Sequence, residues 1–144
     1  MHRHDGVHEM SNGTKIWYEA GLYHRTDGPA VMRHDGSEVY YYYGKRHRVG
    51  GPAVTLANGR VEYHFNGKLH RDDGPAIIDW DGYEAWYQHG IMHRVDGPAV
   101  TKSTGDKTWY LHGLVHKQRL KFQETAKLSD EDMMFVVLKH GDVQ

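Results

Sequence analysis

Residues 70–76 read HRDDGPA in one-letter code, and this stretch decides the fold because it recurs along the chain. Close copies occupy residues 24–30 (HRTDGPA) and 93–99 (HRVDGPA), and residues 47–53 carry a degenerate copy, HRVGGPA. The Gly-Pro pairs begin at positions 28, 51, 74 and 97, so the period is 23 residues without insertion or deletion. A fixed period of this length predicts a repeat protein in which each unit packs on its neighbours.

Two columns of glycine divide each repeat. A glycine follows Asn or Asp at 12–13, 35–36, 58–59 and 81–82, and a second glycine column lies at 21, 44, 67, 90 and 113. Asn-Gly and Asp-Gly between β-type segments predict type I′ hairpin turns, because that turn needs positive φ at both central residues. We therefore predict two turns and two short strands in each repeat.

Aromatic and aliphatic residues also recur at this period. The aliphatic column is Val31, Val54, Ile77 and Val100, and the first aromatic column is Trp17, Tyr40, Tyr63, Trp86 and Trp109. The column one residue further on is Tyr18, Tyr41, His64, Tyr87 and Tyr110. Neighbours along a strand face opposite sides of a sheet. We therefore predict that the Trp/Tyr column lies in the core, and that Tyr41, Tyr87 and Tyr110 belong to a recognition surface.

The pattern Trp/Tyr-Tyr-x-x-Gly-x-x-His stands at residues 17–24 and again at residues 86–93. It resembles the MORN repeat, particularly its bacterial and viral variant, and the resemblance covers residues 13–116. It implies two-stranded hairpins in an elongated single-layer sheet. It also implies a scaffold without catalytic residues, of a kind that mostly binds proteins, sometimes binds membranes and often dimerises. Arg-x-Asp-Gly-Pro-Ala follows the histidine here, where ordinary units have Gly-x-Gly.

The predicted fold is mainly β: an elongated single-layer antiparallel β-meander of 23-residue hairpin repeats with a short C-terminal α-helical cap. Residues 1–116 form the MORN-like region, with a partial first repeat before about four and a half units. Residues 117–144 form the helical cap or tail, in which Ser129 is the predicted N-cap and Gly141 the stop. This helix either covers the last strand edge or docks on a partner or on a second copy of the chain.

Composition excludes several classes of protein. The chain has no cysteine, so it forms neither a disulfide framework nor a thiolate metal site. Its longest apolar run, residues 133–138, is far shorter than the roughly 20 residues that span a bilayer. With no apolar stretch behind the N-terminus, the sequence predicts a cytoplasmic protein of a bacterial or virus-infected cell.

The thirteen histidines suggest a metal site, but their spacing argues against it. The main column is His24, His47, His70, His93 and His116. Two strands per repeat place column neighbours roughly 10 Å apart, whereas zinc ligands lie about 2 Å from the metal. We therefore predict a repeated side-chain-to-backbone hydrogen bond at a turn, and neither a metal nor a cofactor. No nucleophile elbow, phosphate loop or carboxylate pair is present, so we predict a protein that is not an enzyme. A metal-dependent enzyme that uses other histidines is the less favoured alternative.

Charge is unevenly distributed, although the net charge is only −1. Residues 43–71 contain six basic residues and one acid, and residues 72–99 contain six acids and one basic residue. In three repeats the Arg-x-Asp pair predicts either a local ion pair or a carboxylate bound to turn amides, but Gly50 replaces the aspartate that would face Arg48. With Lys45 and Arg46 beside it, Arg48 is the predicted basic binding position, for a phosphate or an acidic protein surface.

Two functional hypotheses follow. The first is a non-enzymatic protein-protein interaction module, by analogy a phage or bacterial accessory protein that inhibits a host protein by binding it. The opposite charges of the two segments add an antiparallel homodimer to this hypothesis. The alternative is a phosphate-reading module that binds nucleic acid or acidic lipid through Lys45, Arg46 and Arg48. For nucleic acid, the four tyrosines at residues 40–43 are the best candidates for base stacking.

Overall fold

The computed structural model describes residues 5–115, and throughout this range the secondary structure consists of short β-strands and turns. The chain divides into two compact units, Met1–His70 and Arg71–Gln144. All described strand pairs are antiparallel, so the predicted mainly β architecture of antiparallel hairpins is confirmed within each unit.

The first unit contains eleven described strands. They are β1 (Gly6–Glu9), β2 (Lys15–Glu19), β3 (Leu22–Tyr23), β4 (Val31–Met32), β5 (Glu38–Val39), β6 (Tyr41–Tyr42), β7 (Lys45–Arg46), β8 (Val54–Thr55), β9 (Val61–Glu62), β10 (His64–Phe65) and β11 (Lys68–Leu69). The described strands of the second unit are β12 (Ile77–Ile78), β13 (Glu84–Ala85), β14 (Tyr87–Gln88), β15 (Ile91–Met92), β16 (Val100–Thr101), β17 (Lys107–Thr108), β18 (Tyr110–Leu111) and β19 (Leu114–Val115).

In the first unit a meander runs in the order β1, β2, β4, β5, β8, β9, and β3 pairs with β2. Aliphatic residues lie opposite one another along it: Ile16 pairs with Val31, and Val39 pairs with both Val31 and Val54. All four are buried and form one hydrophobic cluster. Cross-strand burial of these side chains therefore forms the core of the first unit.

In the second unit the meander runs β12, β13, β16, β17. Ala85, which is fully buried, pairs with Ile77 on one side and with Val100 on the other. A separate small cluster contains Trp109 and Leu111. The predicted aliphatic column is thus buried in both units.

Most repeats contain four two-residue strands, so the prediction of two strands per repeat is wrong for them. The reason is visible at Tyr40, between β5 and β6. Its N–H donates to the carbonyl of Ala53 (2.7 Å), and its carbonyl accepts the N–H of His47 (3.2 Å). A residue that bonds to different strands on its two sides ends one ladder and begins the next. The result is a second hairpin in each repeat, and we call β6–β7, β10–β11, β14–β15 and β18–β19 the lateral hairpins.

The two glycine columns form different turns. At Tyr43-Gly44 both residues have positive φ, 45° and 83°, as a type I′ turn requires. At Asp35-Gly36 only the glycine does, with φ 92°, and its N–H donates to the carbonyl of Arg33 at 3.0 Å. That geometry is a type I turn followed by a glycine bulge. The prediction of type I′ turns at Asp-Gly is therefore wrong here, and they form at the other column.

The Trp/Tyr column is less buried than predicted. Trp109 is buried, but Trp17, Tyr40, Tyr63 and Trp86 are only half-buried. The alanines of the Gly-Pro-Ala segments, at residues 30, 53, 76 and 99, are instead fully buried. The prediction of the Trp/Tyr column as the core is therefore wrong for the four half-buried residues.

Three sequence predictions fall outside the described residues. They are the C-terminal helix that begins at Ser129, the last histidine of the column at position 116, and the first part of the worn repeat copy at residues 2–4. The remainder of that copy leads into β1, which begins at Gly6.

Candidate binding surface

Each Arg-x-Asp-Gly-Pro loop encloses a guanidinium group. Arg25 lies over the ring of Trp17, with Cζ 4.0 Å from the ring centroid. Its Nε donates to Asp27 Oδ1 at 2.8 Å, and its Nη1 donates to the Pro29 carbonyl at 3.1 Å. A Cβ at Gly28 would lie 2.9 Å from Cζ, so only glycine leaves room for the guanidinium. The arginine therefore covers one face of the aromatic ring in a cation–π contact.

The ion pairs predicted from the Arg-x-Asp spacing are confirmed in three repeats. They join Arg25 to Asp27, Arg71 to Asp73 and Arg94 to Asp96. The hydrogen bond from Arg25 also holds the pKa of Asp27 below its ordinary value. In these three repeats the Arg-x-Asp pair therefore makes a local contact that stabilises the loop between two hairpins.

The histidine column forms the side-chain-to-backbone hydrogen bond that the sequence predicted. Nδ1 of His24, a buried residue, accepts the N–H of Tyr43 at 3.0 Å. Equivalent bonds join His47 to Asn66 and His93 to His112. The donor in each case is the first central residue of the next type I′ turn, with φ between 45° and 50°. These three histidines therefore each hold the next type I′ turn in its left-handed conformation.

The second repeat keeps the arginine but lacks the aspartate. Cζ of Arg48 lies 4.1 Å from the centroid of Tyr40, and Nη1 donates to the carbonyl of Pro52 at 3.2 Å. Position 50 is glycine, with φ 85°, and a Cβ there would meet no atom within 4 Å. In the part of the chain that the structure describes, no carboxylate pairs with Arg48.

The three residues of the predicted basic position have different surroundings. Lys45 is exposed and lies against the turn of the next lateral hairpin. Its Cβ is 3.6 Å from the position that a Cβ at Gly67 would occupy. Arg46 is half-buried, and its Nη1 lies 3.7 Å from Glu62 Oε1. Arg48 is held by Tyr40 and a backbone carbonyl. The structure therefore does not bring the three cations to one shared partner.

Glu62 is the centre of a small ion-pair cluster in the first unit. Its carboxylate accepts Arg60 Nε at 2.8 Å and His64 Nε2 at 2.9 Å, and only 14% of the side chain is exposed. The hydrogen bond from His64 lowers the pKa of Glu62 most, and with Arg60 it brings the pKa from 4.5 to about 2. Sequence reasoning missed this cluster because His64 occupies a column that is otherwise tyrosine.

We expect Glu62→Gln to lower the free energy of unfolding by about 2 kcal/mol at neutral pH, with allowance for solvent screening. The depressed pKa of the folded state means that the ionised carboxylate stabilises the fold fully above pH 4.5. That stabilisation is lost as the pH falls toward about 2. Urea unfolding at neutral pH, pH 4.5 and pH 3 measures the effect, with exposed Glu84→Gln as the control. Wild type and Glu62→Gln losing stability equally below pH 4.5 would contradict it.

The predicted recognition tyrosines, Tyr41, Tyr87 and Tyr110, are all half-buried. Tyr41 packs against the aliphatic cluster of the first unit, with its ring 5.1 Å from that of Tyr23. It points to the core side because it stands two residues after buried Val39. This tyrosine therefore contributes to the core of the first unit as well as to its surface.

An exposed row of aromatic rings lies on the lateral hairpins of the first unit. Tyr42, Tyr43 and Phe65 are 50%, 40% and 42% exposed. Tyr43 stacks on His24, with the ring centroids 3.8 Å apart. The ring of His47 lies between those of Tyr42 and Phe65, with centroid distances of 5.9 Å and 4.7 Å. We call these five residues the aromatic strip. Sequence reasoning singled out the tyrosines near position 42 but missed Phe65, whose only signal is its place one repeat after Tyr42.

Lysines accompany the strip. Tyr42 lies opposite Lys45 across β6 and β7, and Phe65 lies opposite Lys68 across β10 and β11. Residues directly opposite in an antiparallel pair share a face, so Tyr42 and Phe65 each have an exposed lysine on the same face of their hairpin. The equivalent positions of the second unit, residues 88, 91, 111 and 114, are uncharged. The combination of aromatic and basic residues therefore belongs to the first unit.

Among the described residues, each unit also has an open groove between two successive loops that enclose an arginine. The groove of the first unit, about 490 Å³, lies between residues 25–28 and 47–49 and is lined by Tyr40, Tyr41 and Tyr42. We call it the basic groove, because its lining contains two arginines and one carboxylate. The groove of the second unit, about 530 Å³, contains Arg94 and three carboxylates. Two grooves of similar form thus present opposite charge.

The described residues show neither a candidate metal site nor a candidate membrane-spanning helix. Within residues 5–115, no three histidine or carboxylate side chains are grouped so that they could hold a metal ion. No helix in that range is long and apolar enough to cross a membrane. Comparison with protein-family models finds none that matches the chain, and comparison with curated proteins finds no relative. The resemblance to MORN repeats stays a prediction, and the functional argument depends on the surface itself.

Proposed function

We propose that this protein is a non-enzymatic protein-protein interaction module whose partner binds over the aromatic strip. The observation that carries the proposal is the exposure of Tyr42, Tyr43 and Phe65, each at least 40% exposed and all in one row. Neighbouring exposed rings leave apolar surface in contact with water, and a protein that covers them gains the free energy of its removal. Aromatic residues are also the side chains most enriched in interaction hot spots.

Hydrogen bonds and ring contacts within the protein already order the aromatic strip. His24 stacks on Tyr43 while its Nδ1 accepts the N–H of the same residue. His47, fixed by the N–H of Asn66, lies against Phe65. Rings that are already ordered lose little conformational entropy when they are covered, so more of the contact energy contributes to affinity.

The alternative, phosphate reading through Lys45, Arg46 and Arg48, has weaker support. Such a site needs several cations that converge on one anion. Arg46 lies 3.7 Å from Glu62, and Nη1 of Arg48 is already bonded to a backbone carbonyl. By the resemblance to bacterial and viral repeat proteins, the protein module would be a cytoplasmic accessory protein that inhibits a host protein by binding it.

We expect the double substitution Tyr42→Ser, Phe65→Ser to weaken partner binding by about 100-fold or more, because both rings would be hot spots. Trp80→Ser, which removes a 73% exposed ring of the second unit, is the matched control and should leave the affinity unchanged. Affinity capture from the source organism identifies the partner, and calorimetry with the purified partner measures the affinity of each variant.

The aromatic double variant and a charge-reversed variant, Lys45→Glu, Arg46→Glu, separate the two hypotheses. Labelled oligothymidylate and vesicles with acidic lipid should show no saturable binding to the wild-type chain. Saturable binding to either one, lost in Lys45→Glu, Arg46→Glu but kept in Tyr42→Ser, Phe65→Ser, would favour phosphate reading over the proposal. A captured partner that binds the aromatic double variant as tightly as the wild type would also contradict the proposal.

A further inference from the structure

Three of the four repeats have an aspartate beside the enclosed arginine, and the second repeat does not. The Nε-to-Oδ1 distances are 2.8 Å for Arg25 and Asp27, 3.2 Å for Arg71 and Asp73, and 3.0 Å for Arg94 and Asp96. In the second repeat, Gly50 stands where the others have aspartate. The chain therefore contains three internal examples of what this arginine site binds.

Arg48 has the same placement as its counterparts although the carboxylate is missing. Its Cζ lies 4.1 Å from its ring, against 4.0 Å for Arg25 and 3.9 Å for Arg94. The hydrogen bond from Arg48 Nη1 to the Pro52 carbonyl is 3.2 Å long, the same length as the bond from Arg94 Nη1 to the Pro98 carbonyl. The ring, the carbonyl and the close approach of Gly51 hold the guanidinium without an aspartate. Its Nε, which donates to aspartate elsewhere, has no acceptor among the described residues.

We propose that Arg48 is a recognition site for an external carboxylate, supplied by an aspartate or glutamate side chain of the protein partner. The partner's carboxylate takes the place beside Arg48 that Asp27 has beside Arg25. This inference rests on the proposed function and names the chemistry of the partner: an acidic residue flanked by apolar side chains.

The surroundings of Arg48 fit such a residue. The space beside Gly50 is open, since a Cβ there would meet no atom within 4 Å. Arg48 lines the basic groove together with Val49, which is 77% exposed, and Tyr42 of the aromatic strip. An acidic side chain in the groove would therefore be continuous with apolar contacts on the strip. The excess of basic residues between positions 43 and 71 favours the approach of an acidic segment.

A carboxylate fits this arginine better than a phosphate does. Because Nη1 is committed to Pro52, only one edge of the guanidinium is open. A planar carboxylate can meet that edge with one or two oxygens. The same edge can meet a phosphate, but the second negative charge of a phosphate calls for a further cation, and Lys45 and Arg46 have other neighbours.

The test follows the arginine Nε–H signals of the full chain by NMR. The probe is an acetylated, amidated Gly-Leu-Asp-Leu-Gly peptide, compared with its Asn counterpart and with inorganic phosphate at equal ionic strength. We expect the Asp peptide to shift the Arg48 signal saturably and to leave the Arg94 signal in place. The Asn peptide should move neither signal, and phosphate should move the Arg48 signal at least about fivefold more weakly.

Two reciprocal substitutions make the test sharper. Gly50→Asp supplies the internal carboxylate and should weaken the response of Arg48 to the Asp peptide at least about fivefold. Asp96→Gly creates a similar gap beside Arg94 and should give that arginine a saturable response, weaker than that of Arg48 because Asp72 and Asp73 line the same groove. Because the second substitution needs no side chain at a position with positive φ, it keeps the test valid even if Gly50→Asp fails to fold.

Several results would overturn the inference. These are equal shifts with the Asp and Asn peptides, a stronger response to phosphate, no gain of response in Asp96→Gly, and a shift of the Arg48 signal on simple dilution. The last would assign the site to a second copy of the chain. If Arg48 ignores the Asp peptide while Tyr42→Ser, Phe65→Ser still loses its partner, only this inference fails. If the peptide binds and the strip substitutions leave the partner bound, the proposed function fails instead.

Discussion

Gly97→Ala is expected to lower the free energy of unfolding by about 3 kcal/mol. A Cβ at this position would lie 2.7 Å from Arg94 Cζ and 2.8 Å from its Nη1, so the guanidinium has to leave its place. Arg94 would then lose its bonds to Asp96 and Pro98. It would also lose its contact with Trp86, 3.9 Å away, and the ring face would become exposed.

A double-mutant cycle shows whether the glycine acts through the arginine. Urea unfolding of Gly97→Ala, Arg94→Ala and the double variant gives the coupling free energy. The double variant is expected to be about as stable as Arg94→Ala alone, because the added methyl group then has room. Additive losses would show that Gly97 serves another purpose, such as backbone freedom.

Leu111→Ala is expected to cost about 2–5 kcal/mol of unfolding free energy. Leu111 is fully buried in a cluster with Trp109, and half-buried Val95 and Leu114 pack against it. Truncation of a buried leucine removes its transfer free energy and leaves a cavity. Thermal and urea unfolding both measure this loss.

Phe65 is the natural control, because it occupies the same repeat position two repeats earlier and is 42% exposed. Phe65→Ala should cost less than about 1.5 kcal/mol, since much of the ring already contacts water. If Phe65→Ala were as destabilising as Leu111→Ala, the aromatic strip would be part of the core. The proposal that the strip binds a partner would then lose its main support.

The contacts that could be predicted from the sequence are those set by the repeat itself. Arg25 and Asp27 stand two residues apart in one loop, so their ion pair depends only on local backbone geometry. The hydrogen bond of His24 spans nineteen residues but recurs at the same period, so the spacing of the column indicated a structural role. The unusual surroundings of Arg48 were likewise indicated by a single departure, Gly50, from the repeated phrase.

Other features depend on where the strands exchange partners. The sequence does not show that Tyr40 donates to Ala53 while its carbonyl accepts from His47, and this exchange splits one predicted strand into two. The split creates the lateral hairpins, and the exposed rings of the aromatic strip, Tyr42, Tyr43 and Phe65, lie on them. Tyr41, predicted as a recognition residue, instead packs partly against the aliphatic core.

The recurring phrase HRxDGPA and the two glycine columns therefore determined the period, the antiparallel hairpins and the ion pairs of three repeats, because these follow from short-range geometry that recurs along the chain. Only the tertiary structure decided which aromatic rings are exposed. Exposure depends on hydrogen bonds and packing between residues of successive repeats, as at Tyr43 and His24. Column position alone does not determine burial, since Leu111 is buried where Phe65 is exposed.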